Sequence, residues 1–153
     1  MFWEVMKMKT NIAEKEIVNF FLRYYDSNKF YFIEEVPVFV QSVDVVKVSK
    51  KFRTITAIEF KTNKWEKAIQ QVLAEALVFD YLEISILQPK RTTTCQRIEE
   101  KCQQYGIGLY YVNIEENKVV HRIKPVRNKG LWPTQRKATK KYLEERIKND
   151  GKN

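Results

Sequence analysis

Asp44, Glu59 and Lys61 are the residues whose types and spacing are best suited to chemistry. They stand in two runs rich in branched and aromatic residues, Val43-Asp-Val-Val-Lys-Val48 and Thr54-Ile-Thr-Ala-Ile-Glu-Phe-Lys61. The polar stretch Ser49-Lys-Lys-Phe-Arg53 joins them, so the pattern reads as a β-hairpin. A turn centred near Lys51 or Phe52 sets Asp44 nearly opposite Glu59. Side chains alternate between faces along a strand, so Glu59 and Lys61 share one face while Ile58 and Phe60 take the other. Opposed carboxylates lie about 5 Å apart at Cβ and repel one another. Ionised groups within apolar strands are also costly unless compensated. A divalent cation between them removes the repulsion, and hard oxygen donors with one or two carboxylates per ion suit Mg²⁺ or Mn²⁺. Such an ion polarises a phosphoryl oxygen and generates hydroxide. Lys61 would hold the attacking water and stabilise charge at the phosphate. The chemistry expected of this set is in-line hydrolysis of a phosphodiester. The plainer alternative is an exposed cross-strand charge set with Asp44 at a strand edge.

The elements that must position these residues follow from the pattern on either side. A first helix is expected from about Thr10 to Asp26, with Asn11 and Glu14 at capping-box spacing and Ile17, Val18, Phe21 and Leu22 on one face. A strand is expected over Phe30–Val38 before the hairpin. After it, Asn63 and Glu66 have the spacing to cap a second helix running to about Asp80, with Ile69, Val72, Leu73, Ala76 and Leu77 as its core stripe. Leu82–Leu87 reads as a strand reached by a βαβ crossover, and Thr94–Tyr105 as a third helix stopped by Gly106. Ile107–Ile114 and Lys118–Ile123 read as a final strand pair, and Pro133 as the opening of a last helix, from about Thr134 to Lys148. The order α-β-β-β-α-β-α-β-β-α implies an α/β fold, a mixed sheet flanked by helices.

The bulk properties narrow the class. At 153 residues the chain suits one core. No apolar run reaches the roughly 18 residues of a membrane span. Met1-Phe-Trp-Glu-Val-Met-Lys lacks a signal-peptide core, so a cytoplasmic, intracellular protein is expected. Cys95 and Cys102 are seven apart in one expected helix, about 10 Å along its axis, too far for a disulfide. The net charge of +9 is uneven: 12 basic and 12 acidic residues up to Gln88, then 16 basic and 7 acidic. That asymmetry suggests a polyanion held by the C-terminal part, against the alternative of an ordinary solvated surface. No Gly-rich phosphate loop is present. His121 is read as structural rather than as a zinc ligand or triad member, and Trp3, Trp65 and Trp132 as packing residues rather than base-stacking platforms.

Ser42-Val-Asp44, Ile58-Glu-Phe-Lys61 and Trp65-Glu-Lys-Ala-Ile-Gln-Gln71 together resemble the PD-(D/E)XK nuclease superfamily, near its Holliday-junction resolvases and restriction enzymes. The resemblance covers about Asn11 to Ile114. Val43 stands where the family name has proline, as in many members. The resemblance implies a restriction-endonuclease-like fold with an α-β-β-β-α-β core, and a Mg²⁺- or Mn²⁺-dependent endonuclease acting on duplex or branched DNA. It leaves RNA open as a substrate and a homodimer open as the assembly. It implies Asp44 and Glu59 as central metal ligands and Lys61 as the catalytic lysine. Glu14 resembles the acidic residue of the first helix, with a simple helix cap as its rival and Glu16 as a substitute. Gln71 resembles the glutamine on the following helix, with Gln70 beside it. A nuclease-like domain would then span residues 1–126, with residues 127–153 a basic, helical extension. Lys90, Arg91, Arg122, Lys124, Arg127, Lys129, Arg136, Lys137, Lys140 and Lys141 are the candidates for DNA-backbone contacts. An inactive DNA-binding module or an assembly subunit of the same fold is the alternative.

Overall fold

The computed structural model describes residues 12–26, 29–39 and 41–150. Its elements are α1 (Glu14–Tyr24), β1 (Phe30–Val38), β2 (Gln41–Ser49), β3 (Ile55–Lys61), α2 (Trp65–Leu73), β4 (Tyr81–Leu87), α3 (Thr92–Tyr105), β5 (Gly108–Asn113), β6 (Lys118–Ile123) and α4 (Pro133–Asp150). The six strands form one sheet in sequence order. β1–β2, β2–β3 and β5–β6 are antiparallel, while β3–β4 and β4–β5 are parallel. This mixed sheet with its helices is compatible with a restriction-endonuclease-like fold, and its first six elements run α-β-β-β-α-β as expected. None of the described helices is long and apolar enough to cross a membrane.

Each parallel pair needs a crossover, and α2 and α3 supply them. Right-handed connections between successive neighbours place both helices on one face of the sheet. Ala68, Ile69 and Val72 of α2 therefore share a core with Ile98 and Cys102 of α3. Ile17, Val18 and Phe21 of α1 cover the opposite face, against Val45, Ile58, Phe60 and Tyr110. β3 lies between these layers, and six of its seven residues are buried. β1 is an edge strand, which accommodates Pro37 because an edge residue can forgo a ladder hydrogen bond. Gly106 ends α3 in the left-handed conformation (φ 68°), where a side chain would strain the backbone.

Segment 127–150 packs on this core. Asn128 donates to the carbonyls of Ala76 and Phe79, and the Trp132 N–H to the Leu77 carbonyl at 2.7 Å. Leu143 of α4 is fully buried in the α2–α3 layer. Fully buried Asp80 is the main tie. One oxygen accepts the Ile55 N–H at 2.8 Å, and Arg136 binds both oxygens at 3.1 and 2.9 Å.

Two helix starts differ from expectation. Ala13 is the N-cap of α1, so Glu14 is the first helical residue and not the third that a capping box requires; Asn11 lies outside the described residues. Lys64, not Asn63, is the N-cap of α2, with no side-chain cap bond. α2 also stops at Leu73 rather than running to Asp80. Its continuation tightens into turns in which Glu75, Ala76 and Val78 donate to carbonyls three residues back. Leu77 is left exposed instead of lying in the core stripe.

Candidate functional site

β2 and β3 meet in the register expected, Val45 opposite Ile58 and Val46 opposite Ala57. The ladder stops there. One residue further, Asp44 turns its carboxylate into the fork between the strands, where Oδ2 accepts the Phe60 N–H at 2.8 Å. Glu35 in the neighbouring β1 has a left-handed backbone (φ 52°), which interrupts the alternation of faces: Ile33 and Val36 enter the same core. Val43, paired with Val36, enters it too. Its neighbour Asp44 is thereby turned toward α1 and stays half-buried. It lines a small cleft of about 160 Å³ with Glu14, Lys15, Val18, Glu34 and Glu35.

Glu59 is buried beside this fork, at 3 % exposure. Its carboxyl lies within hydrogen-bonding reach of both Asp44 and a third acid, Glu75. Glu75 is fully buried in the turn after α2. Gln41 Nε2 donates to its Oε1 at 2.8 Å, and also to the Gln71 carbonyl at 3.4 Å. Burial, then Glu75, then Asp44 push the Glu59 carboxyl far above the usual carboxylate range. Burial also raises Glu75, against the hydrogen bond from Glu59 that favours its ionised form. Both carboxyls are therefore held above the usual range, Glu59 the further of the two.

Lys61 leaves the end of β3 and approaches Glu14 Oε1 at 3.3 Å, with 17 % of its side chain exposed. Glu14 is thus placed beside the catalytic candidates, held through Lys61. Asp44 meets Glu59 on one side and lines a cleft with Glu14 on the other, while Lys61 is held by Glu14. Gln71 and Gln70 are both exposed on α2, and Gln71 reaches the site through its backbone carbonyl.

The donor set fits a hard divalent ion. It is all oxygen, its negative charge is crowded and largely buried, and the buried Glu75 Oε2 meets no donor. Among the described residues, no group of three or more His, Cys, Asp or Glu side chains is arranged to hold a metal ion. Mg²⁺ does not need one, since it usually keeps several waters and takes one or two carboxylates.

The signal for Glu75 was present in the sequence. Ala68, Val72, Glu75 and Phe79 follow the three- and four-residue spacing of a helix's buried stripe, and all four are buried. A carboxylate at such a core position needs a proton or a cation.

The cationic candidates are spread around the surface. Lys90, Arg91, Lys124, Lys129, Lys137 and Lys141 are exposed, and Lys140 is partly so. Arg122 pairs with Glu99 at 2.9 Å, Arg127 lies 3.6 Å from Asp80, and Arg136 is the bidentate partner of Asp80. His121 belongs to a second ionic cluster on the α1 face. Fully buried Glu83 contacts Lys47 Nζ at 2.9 Å and His121 Nε2 at 2.8 Å, the latter an ionic contact not aligned as a hydrogen bond. Burial pushes the Glu83 carboxyl up, but His121 and Lys47 outweigh it and hold the group below the usual range.

No protein-family model matches the chain, and no curated protein matches it. Among solved structures it is similar to a protein of unknown function from Silicibacter pomeroyi, with a TM-score of 0.66 and 16 % identity over 92 % of this chain and 89 % of that one. It is also similar to a repair endonuclease from Pyrococcus abyssi (TM-score 0.45, 16 % identity, 67 % of this chain and 48 % of that one). A third is the SfsA protein of Pyrococcus furiosus in complex with Ca²⁺ (TM-score 0.35, 12 % identity, 78 % and 62 % covered). The first likeness shows a shared fold. At their scores the other two carry no argument.

Proposed function

We propose that this protein is a metal-dependent endonuclease that hydrolyses phosphodiester bonds in DNA, with Mg²⁺ or Mn²⁺ as its cofactor. The observation that carries the proposal is the meeting of Asp44, Glu59 and Glu75 at the fork between β2 and β3. A buried Glu75 oxygen without a donor, next to two further carboxyls, is what an oxygen-binding cation would satisfy.

Asp44 and Glu59 would hold the ion, with Glu75 packed behind Glu59. The ion's chemistry, when bound, is to neutralise these groups, polarise the phosphoryl oxygen and acidify water. Gln41 fixes Glu75 by donating to one oxygen and leaving the other for the ion. The Phe60 N–H fixes Asp44 in the same way, through Oδ2. Lys61, at the end of β3 and paired with Glu14, would orient the attacking water and stabilise charge on the phosphate. Glu14 holds that ammonium in place. The exposed cations of the C-terminal half would position the DNA backbone without reading its sequence.

A second reading, a non-catalytic DNA-binding module of this fold, draws on the absence, among the described residues, of any group of three His, Cys, Asp or Glu side chains arranged to hold a metal ion. A cleavage panel separates the two. Duplex, four-way, flap and single-stranded DNA, with an RNA strand alongside, are incubated in Mg²⁺, Mn²⁺ or chelator. The endonuclease reading expects metal-dependent cuts that Glu59→Ala and Lys61→Ala abolish while the fold persists. Salt-sensitive binding with no cleavage in either metal would support the module instead. Cleavage at the wild-type rate in both variants would reject the site.

A further inference from the structure

Two large aromatic rings stand half in solvent beside the C-terminal cations. Phe39, in the turn between β1 and β2, is 48 % exposed, and Trp132, just before α4, is 49 % exposed. Their rings are near-parallel, 21° apart with centroids at 6.2 Å. Trp132 thus packs against Phe39 but leaves half of its surface in solvent. Phe39 also has a left-handed backbone (φ 55°), a strained conformation for a bulky residue, so the fold keeps this ring outside at a conformational cost.

The surroundings are cationic. Leu131 and Pro133, on either side of Trp132, line a groove of about 480 Å³ with Arg127, Arg136, Lys137 and Lys140. The one carboxylate in that groove, Asp80, is already occupied by Arg136 on both oxygens and approached by Arg127. Among the described residues, no carboxylate pairs with Lys137 or Lys140. Half-exposed aromatic rings flanking a groove whose ammonium groups no carboxylate neutralises suit an unpaired nucleotide: the base stacks, and its phosphates meet the cations. A base inside a continuous duplex has both faces covered by its neighbours and cannot use such a platform.

The platform is also tied to the carboxylate site. Phe39 lies two residues before Gln41, which holds Glu75. Trp132 is anchored through its N–H to Leu77, two residues after Glu75.

We propose that Phe39 and Trp132, with Lys137 and Lys140, form a binding platform for an unpaired nucleotide. The preferred substrate class is then a single-stranded, overhanging or branched nucleic acid rather than a continuous duplex. This inference rests on the nucleic-acid reading above and deepens it.

The test measures binding in chelator, so that it does not depend on cleavage. A labelled oligothymidine, the corresponding oligouridine and a blunt duplex are titrated into wild-type protein and into Trp132→Ala, Phe39→Ala and Trp132→Phe. Unchanged circular dichroism and thermal midpoints control for folding. The expected result is that wild type prefers the single strands. Each alanine variant should lose roughly 5- to 150-fold of that affinity while duplex binding changes by less than about twofold. Trp132→Phe should restore most of the loss. A stronger response to uridine than to thymidine would give RNA as the source of the nucleotide within the same proposal. Equal losses on duplex and single strand, unchanged single-strand affinity, or no single-strand binding by wild type would each overturn it. A particle mass that halves in Trp132→Ala, with unchanged nucleic-acid binding, would overturn it in favour of a second copy docking on the rings. If Glu59-dependent cleavage persists while the platform fails, only this inference falls. If stacking persists without any cleavage, it is the endonuclease reading that falls.

Discussion

In a chelator, raising the pH should destabilise this protein, and Glu59→Gln should remove most of that dependence. Glu59 holds its proton far above the usual carboxylate range because it is buried against Glu75 and Asp44. In the unfolded chain a glutamate releases its proton near pH 4.3. Between that value and the folded one, the native state binds a proton that the unfolded state lacks. Stability therefore falls as pH rises, by about 1.4 kcal/mol per pH unit for one proton. The contribution is fully present below the unfolded pKa and is lost as pH rises toward the folded value. From about pH 5 to about pH 7 the loss is about 2.7 kcal/mol, or roughly 5–11 °C in melting temperature for a domain of this size. Glu75, also raised, adds to the slope in the same direction. The assay is a series of thermal melts in chelator across this range for wild type and Glu59→Gln. The difference between the two proteins cancels the titration of groups they share. Glutamine cannot ionise, so the variant should gain on wild type as the pH rises. Mg²⁺ or Mn²⁺ should flatten the wild-type slope, because the ion competes with the proton for the same oxygens. Equal slopes in the two proteins, or a wild type that gains on the variant with rising pH, would refute the reasoning.

Other perturbations test neighbouring parts of the structure. Glu83→Gln leaves Lys47 and His121 without their buried anion and should destabilise the fold by about 3 kcal/mol in chemical denaturation. Because His121 and Lys47 hold Glu83 below the usual range, its stabilising contribution is present above the unfolded pKa. That contribution should fade only as the pH falls through the folded value, on the acid side of the Glu59 effect. Gly108→Ala would set a methyl 2.7 Å from Glu83 Oε2 and 2.9 Å from Pro125 Cδ, so thermal melts should show a loss of about 1–3 kcal/mol. Arg136→Ala uncovers the buried Asp80 and should lower stability by about 3–5 kcal/mol in denaturant melts. Lys137→Ala should leave stability nearly unchanged, but reduce the salt dependence of DNA binding by about one unit of slope.

The strands were legible because their signal is local. Alternation and branched residues place Phe30–Val38 and Lys118–Ile123 with the bounds found, and the polar turn sets the β2–β3 register. That register is also why the meeting of Asp44 with Glu59 could be read in advance. Helix starts were less legible. Asx and Glu at capping distance are compatible with a cap but do not compel one, and the chain starts α1 and α2 at Ala13 and Lys64 without side-chain caps. The tightening of the backbone after Leu73 depends on tertiary packing, so Leu77 could not be separated from the core by periodicity alone. Glu75 went unnoticed for a related reason. The expected core stripe runs through Leu73, Ala76 and Leu77, whereas the buried one runs through Ala68, Val72, Glu75 and Phe79. Arg136 is a similar case: its charge suggests a polyanion until Asp80 is found buried against it. Trp132 is the opposite case, an apolar residue that composition assigns to the interior and the fold leaves half exposed.

The most direct measurement is Mn²⁺ titration followed by electron paramagnetic resonance, with wild type compared with Glu59→Gln and Asp44→Asn, and no nucleic acid present. The account predicts one bound ion per chain for wild type, displaced by Mg²⁺, with binding lost or greatly weakened in both variants. Mn²⁺ binding of equal strength in all three proteins, or none in wild type, would contradict it.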